Sequence, residues 1–356
     1  MIYQGDYTDN NIYGTSKNYR ISVETENNAA FLACNLQVNF NGQFWEHDFE
    51  IPFFNNTAEL YFENYIHSII TQNFQLNTLD KENIQFHHFN LAEVSMTLKE
   101  MEQNNVLDEI DYSFYMSLGS FNTIAYNDIV NGNKTLLPVK NSLFQTKKGL
   151  LSFSFISKTL PNKLIIDNSL ELVELDITST STTLLIHSIV IPVKLIEGSE
   201  TNNLNIALKF QDETMIALGD FNLLNRAVDH NTIAYQNEFG TLSILEFTGY
   251  RKDHEVIKTS INNLNAISSN VLFETEIEES NSFTINTGYI IDTLKYGMIR
   301  NLIRSYNKYL LEETNIKIVN NGNQKLKPYS SNYYENNESL KFKLAENAND
   351  IHYRIF

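Results

Sequence analysis

Eight histidines, one cysteine and 43 carboxylates are what this 356-residue chain offers to acid–base, nucleophilic or metal chemistry. His47, Asp48 and Glu50 fall within one segment, QFWEHDFEI, and suggest a metal trio. On a strand, successive side chains point to opposite faces, so His47 and Asp48 share a ligand only across a bulge. His87-His88 has the same defect and sits in what reads as a polar loop. Asp229-His230 has no G-x-S-x-G elbow or other activated nucleophile beside it. Asp108, Glu109 and Asp111 form an acidic turn without the Asp/Asn/Gly spacing of a calcium loop. Paired carboxylates for glycoside hydrolysis need not be close in sequence, and nothing here selects a pair. No phosphate-binding Gly loop, zinc-ligand spacing or dinucleotide fingerprint is present in the sequence. The expectation is a protein that is not an enzyme, with no catalytic, cofactor-binding or metal-binding residue to name and no cofactor.

The overall charge narrows the partners. The formal net charge is −17, whereas a duplex-DNA binder needs a basic footprint that releases counterions. Lys147-Lys148 and the spaced Arg300, Arg304 and Lys308 read as solvated faces, so no nucleic-acid partner is expected. Cys34 lies in the apolar stretch FLACNLQVNF and reads as a buried structural thiol. A lone cysteine makes no intrachain disulfide, which is compatible with folding in a reducing cytoplasm. The N-terminal residues lack the basic and apolar regions of a secretory signal. No apolar run reaches the roughly 18 residues of a spanning helix, so no membrane span is expected.

The elements that must position these residues are mostly strands. FLACNLQVNF and QFWEHDFEI flank Asn41-Gly42, the strongest short hairpin signal, because a type I′ turn wants positive φ at both central residues. Leu36, Val38 and Phe40 then share one face. Asn56 with Glu59 three positions on predicts a capped helix running to about Gln72, burying Leu60, Tyr65, Ile66, Ile69 and Ile70. Alternation returns at Leu91–Lys99 and in DYSFYMSL, and again in LLSFSFIS, with Leu151, Phe153 and Phe155 on one face. Three Ile/Leu/Val-rich strands follow over 163–198, with Ile191-Pro192 marking an edge or bulge. The stretches LNIALKF and TMIALGDF form the next pair. HEVIKTSINNL reads as helix or loop, and VLFETEIEE and SFTINTG as two strands. Asp292 caps a second helix, Thr293–Tyr306, whose packed side is Leu294, Met298, Leu302, Ile303 and Tyr306. KYLLE, NIKIVN and SLKFKLA close the chain. Short strands with frequent turn signals predict a mainly β, β-dominated α+β fold, with sandwich-like or split-barrel domains and two amphipathic helices. The expected division is an N-terminal arm over 1–18, a β-rich domain with one helix over 19–160, and a second β-rich domain over 161–356 with its helix at 292–306. KTLPNK, at 158–163, marks the boundary.

Two pentapeptides recur. Leu-Gly-x-Phe-Asn occurs at 118–122 and 218–222, and Asn-Thr-Ile-Ala-Tyr at 122–126 and 231–235. Ordered recurrence at nearly equal offsets predicts an internal duplication, with Ile124 and Ile233 in equivalent strand positions.

The order of these features over roughly 230–346, with support from 30–72, resembles structural tail proteins of tailed bacteriophages and prophages. The segments that carry it are AYQNEFGTLSILEFTGY, FTINTGYIID, the helix after it, and Ser305-Tyr306-x-x-Tyr309-Leu310. The resemblance implies a tail-tip or baseplate component that acts as a β-sandwich assembly module. It implies a homo-oligomer around the tail axis, contacts with other tail proteins, and residence in the virion after assembly in the host cytoplasm. The polar N-terminal stretch, with Tyr3, Tyr7 and Tyr13 as anchors, is expected to pack on a neighbouring subunit. The competing expectation is a carbohydrate- or receptor-binding β-sandwich adhesin. Trp45 and Tyr333-Tyr334 would be its sugar-stacking platforms, although core or interface packing accounts for such residues as well.

Overall fold

A computed structural model describes residues 2–345 except 17–18, 28, 73, 75, 77–78, 120–121, 138–140, 147, 168–171, 178–184, 197–202, 225–230, 267–268, 314 and 331–336; of 256–280 the backbone alone is described. The fold is mainly β, with several sheets in sandwich-like arrangement.

The first part of the chain supplies β1 (Ile2–Gly5), β2 (Asn11–Gly14), β3 (Ile21–Glu24), β4 (Phe31–Phe40), β5 (Gln43–Pro52), β6 (Thr57–Leu60), α1 (Glu63–Gln72), β7 (Gln85–Phe89), β8 (Ala92–Glu102), β9 (Asn105–Ser117) and β10 (Ile124–Ala125). A six-stranded sheet runs β10-β2-β9-β8-β4-β5, and β1-β3-β6 form a small sheet beside it. Asn41 and Gly42 take φ of 54° and 74°, and Phe40 pairs directly with Gln43, so the expected hairpin forms. Leu36 and Val38 are fully buried, Phe40 nearly so, and Val94, Met96 and Leu98 meet them from β8. The helix begins later than its capping signal suggests. Asn55 and Asn56 adopt left-handed φ of 50° and 64°, close a tight turn with Phe54 bridged to Thr57, and send Thr57–Leu60 into a strand against β3. Asn serves both the helix cap and the left-handed turn, and here the turn prevails. Ile66, Ile69 and Ile70 of α1 are buried as expected; Tyr65 is half-buried.

The stretch expected to be an arm is part of this core. β2 lies inside the sheet between β10 and β9, and β1 pairs with β3. Tyr7 and Tyr13 are buried against Tyr19, Phe62 and Phe114. The three tyrosines that looked isolated among polar neighbours pack against residues of their own chain.

The middle part supplies α2 (Tyr126–Val130), β11 (Thr135–Leu136), β12 (Phe144–Thr146), β13 (Leu150–Ser157), β14 (Lys163–Asp167), β15 (Leu172–Asp176), β16 (Leu185–Pro192), β17 (Asn203–Lys209) and β18 (Met215–Leu224). Sheets β11-β13-β16-β7 and β12-β18-β17-β14-β15 bury a common core that includes Phe153, Phe155, Ile166, Ile206 and Phe221. The boundary expected at 158–163 falls inside this sandwich, because Leu160 belongs to the same core. Pro192 is the last residue of β16, opposite Leu150, where its missing N–H interrupts no further ladder. The whole of β13 is buried, not one face. Its serines point away from the sandwich core, and Ser152 Oγ accepts from the Ile244 N–H at 3.2 Å.

The last part supplies β19 (Asn231–Gln236), β20 (Leu242–Phe247), β21 (Arg251–Ala266), β22 (Ser269–Asn286), α3 (Thr293–Arg304), β23 (Lys308–Leu311), β24 (Asn315–Asn320) and β25 (Ser339–Leu344). The seven-stranded sheet β20-β19-β23-β24-β25-β22-β21 packs Ile233, Phe283, Ile285 and Phe342 on α3. Asp292 caps α3, its carboxylate accepting from the Lys295 N–H at 2.6 Å. Met298 and Leu302 are buried as expected, whereas Tyr306 lies beyond the helix and is 74% exposed. Leu302→Ala is expected to cost about 2–5 kcal/mol, read as a lower denaturant midpoint; an unchanged midpoint would contradict this packing. HEVIKTSINNL is strand within β21, and the two strands expected over 271–288 are one, β22.

The duplication does not hold. Ile124 is half-buried in a two-residue edge strand that turns into α2, whereas Ile233 is fully buried between β20 and β23. Leu118-Gly119 leaves β9, whereas Leu218-Gly219 lies inside β18.

Candidate functional site

The residues singled out by sequence do not converge. His47 lies opposite Leu36 and Asp48 opposite Asn35, on the two faces of β5. The His47 ring packs on Phe49 and Tyr65, 4.5 and 5.3 Å between centroids, while Asp48 accepts from the Asn35 amide at 2.8 Å. Glu109 pairs with Lys99 at 3.2 Å, and Asp111 accepts from the Thr97 hydroxyl at 2.6 Å. Trp45, half-buried opposite Val38, packs on the first core. Burial pushes the Cys34 thiol up to about 12. Arg300 and Arg304 are exposed, whereas Lys308 is buried, which lowers its pKa to about 8. Asp229-His230, Tyr333-Tyr334 and Lys147 lie outside the described residues. Among the described residues no three His, Cys, Asp or Glu side chains gather as a metal site.

A polar cleft of about 400 Å³ opens where the three parts of the chain meet. One wall is the β4–β5 turn with Phe40, Asn41 and Gln43; another is the end of α1 with Ile70, followed by Phe74. His88, Phe89 and Asn90 come from β7 and the residue after it, Ile186 from β16, Gln236 from the last position of β19 and Gly240 from the β19–β20 connection. Asn90 donates to the Asn41 side-chain oxygen at 2.7 Å. The Phe74 and Phe89 rings lie nearly parallel, 10° apart with centroids at 5.6 Å. Gln236, only 4% exposed, accepts from the Asn307 amide at 2.9 Å, and its Nε2 has no partner.

Behind the cleft runs a chain of imidazoles. His87-His88 is not a loop: it forms part of β7, with His88 opposite His187 of β16. The Ser157 carbonyl accepts from His187 Nε2 at 3.0 Å, so neutral His187 carries its proton there and offers Nδ1 as an acceptor. His88 Nδ1–H donates to it at 2.8 Å, which leaves His88 Nε2 as a free acceptor. Burial lowers the pKa of His187 and of His87 to about 4 and also lowers that of His88. This relay can hold a proton acceptor at the cleft rim in one fixed tautomer. Its sequence signals are slight, a lone His in the apolar run TTLLIHSIVIP and a Gln closing NTIAYQ.

The other feature without a structural explanation inside the chain is a ribbon. β21 pairs with β22 along its full length, but β22 meets β25 only over Ser282–Asn286. Beyond that point the two strands have each other alone among the described residues, over about 35 Å at the usual rise per residue.

No protein-family model matches this chain, and no curated protein is detectably similar to it.

Proposed function

We propose that this protein is an assembly subunit, a structural component of a phage tail tip or baseplate that binds copies of itself and neighbouring tail proteins. The observation that carries this reading is the outer ribbon of β21 and β22. A two-stranded hairpin alone in water is marginally stable, and its outer edges present unpaired N–H and C=O groups. A neighbouring chain that adds a strand to such an edge gains directional backbone hydrogen bonds. The net charge of −17 keeps free subunits soluble and apart. Joining therefore depends on a specific geometric match.

Replacing residues 256–280 with Asn-Gly joins Glu255 to Asn281, which already face each other. The shortened chain is expected to keep its melting transition and to lose its oligomers in sedimentation velocity. Equal assembly of the full and shortened chains would remove the ribbon from the interface. Mass spectrometry of purified phage particles carrying the gene tests the virion assignment separately.

A further inference from the structure

The ribbon has one edge with a marked charge, and a segment of opposite character starts beside it. β22 parts from β25 after the pair Ser282–Lys343. Residues 269–281 therefore have β21 on one side and, among the described residues, no strand on the other. Within that free length, 274–280 reads ETEIEES, four glutamates in seven residues. Two copies of this edge laid side by side would bring like charges together, which disfavours their pairing. The edge selects a strand that carries no acid and some positive charge. β25 ends at Leu344, and the Ala345 N–H still donates to the Lys317 carbonyl of β24 at 2.9 Å, so the chain stays with β24 after leaving β22. The sequence continues as ENANDIHYRIF, 346–356, outside the described residues. Its first five residues hold two acids and two asparagines and favour turns over strands. Continuing the Ser282–Lys343 register would also set Glu346 opposite Glu279, a like-charge pair. The last six, IHYRIF, alternate apolar Ile351, Tyr353 and Ile355 with polar His352 and Arg354, and contain no acid, Gly or Pro. That is the pattern of a strand.

We propose that residues 351–356 of one copy add as a strand to the free edge of β22 in a second copy. The proposal rests on the assembly reading above and names the partner of its ribbon. The unpaired N–H and C=O groups of the edge supply the affinity. The glutamates at 274, 276, 278 and 279 supply the choice of strand, because Arg354 complements them and an acidic strand does not. Six residues cover about 20 Å of edge, within the length that β22 leaves open. The polar link 345–350 reaches about 20 Å when extended, enough to leave its own sheet for a neighbour packed beside it. The donor begins where the acceptor edge of the same copy leaves the sheet, so each copy gives and receives at one place.

The test is complementation between two variants, read by sedimentation velocity. A chain ending at Asp350 keeps the edge and lacks the donor. The chain with Asn-Gly in place of 256–280 keeps the donor and lacks the edge. Neither is expected to assemble alone, and a mixture of the two is expected to form one-to-one heterodimers and stop there. In the full chain, Arg354→Glu is expected to weaken self-association about threefold or more, and Arg354→Lys to leave it near the original value. This pair carries the test if the shorter chain does not fold. A chain ending at Asp350 that assembles as the full chain does overturns the proposal. The ribbon reading then stands if the ribbon-replaced chain stays monomeric, and falls too if that chain assembles. Absence of heterodimers in the mixture overturns donation between copies, as does equal association of Arg354→Glu and Arg354→Lys. A full chain that sediments only as a monomer overturns both readings.

Discussion

Acidification from pH 6.5 towards pH 4 is expected to destabilise this protein strongly, and the buried imidazoles are the cause. His187 and His87 are held neutral by burial, with pKa values lowered from 6.5 to about 4. In the unfolded chain both rings take up a proton near pH 6.5, so between these values the unfolded state binds more protons than the folded one. Their contribution is therefore complete above about pH 6.5 and is lost as the pH falls to about 4. That lowering corresponds to about 3 kcal/mol for each ring. Asp212, held at about 2 by Lys134 and then Thr214, loses its own contribution only below this window. Glu63, whose pKa burial raises, acts in the opposite sense and offsets part of the loss. Denaturant midpoints measured from pH 7 to 4 should fall steeply, and His187→Gln should flatten the curve. A level profile in the wild-type chain would mean that both rings reach water in the folded state.

The second large effect lies at the N-terminus. Tyr7 is fully buried, with ring centroids 4.6 to 5.2 Å from Tyr13, Tyr19, Phe62 and Phe114. Its hydroxyl donates to Glu63 Oε1 at 2.9 Å. Tyr7→Ala is expected to cost about 3–5 kcal/mol for the large aromatic void, and more for the carboxylate left without its donor. Tyr7→Phe keeps the packing and isolates the hydrogen bond, at about 1–3 kcal/mol. Deleting residues 1–17 removes an internal strand of the six-stranded sheet as well and is expected to abolish cooperative folding of the first part. An intact melting curve with weaker oligomers would instead restore the picture of an arm reaching to a neighbour.

The contrast between these two regions shows what sequence pattern can carry. The Asn41-Gly42 hairpin and the Asp292-capped helix are local: backbone angles and a side chain three residues away decide them, and both were legible. The N-terminal tyrosines acquire their meaning from Phe62 and Phe114, far away in sequence, so their polar surroundings misled. The NTIAY copies fail for the same reason, since identical residues next to α2 and inside β19 meet different neighbours. Alternation placed Leu151, Phe153 and Phe155 on one face but carries no sign that the seven-stranded sheet covers Ser152 on the other. The cleft was least legible of all. Asn41, His88 and Gln236 lie far apart in sequence, and only the closing of the sheets brings them to one cleft.

β7 has a consequence for how this protein is made. It lies in sequence between strands of the first part, yet its partner is β16, and His88 meets His187 only after 99 further residues. At usual rates of synthesis that interval lasts roughly 5–20 s. For that time QFHHF emerges as a strand without its neighbour, in a crowded cell where an open edge invites pairing with other chains. Its composition suits the wait, because Gln and two histidines make a weaker template for cross-chain stacking than an unbroken run of Val and Ile. In the finished sheet His87 is buried while His88 stays exposed at the rim, so the pair that weakens the template on the ribosome ends with its two rings in different surroundings.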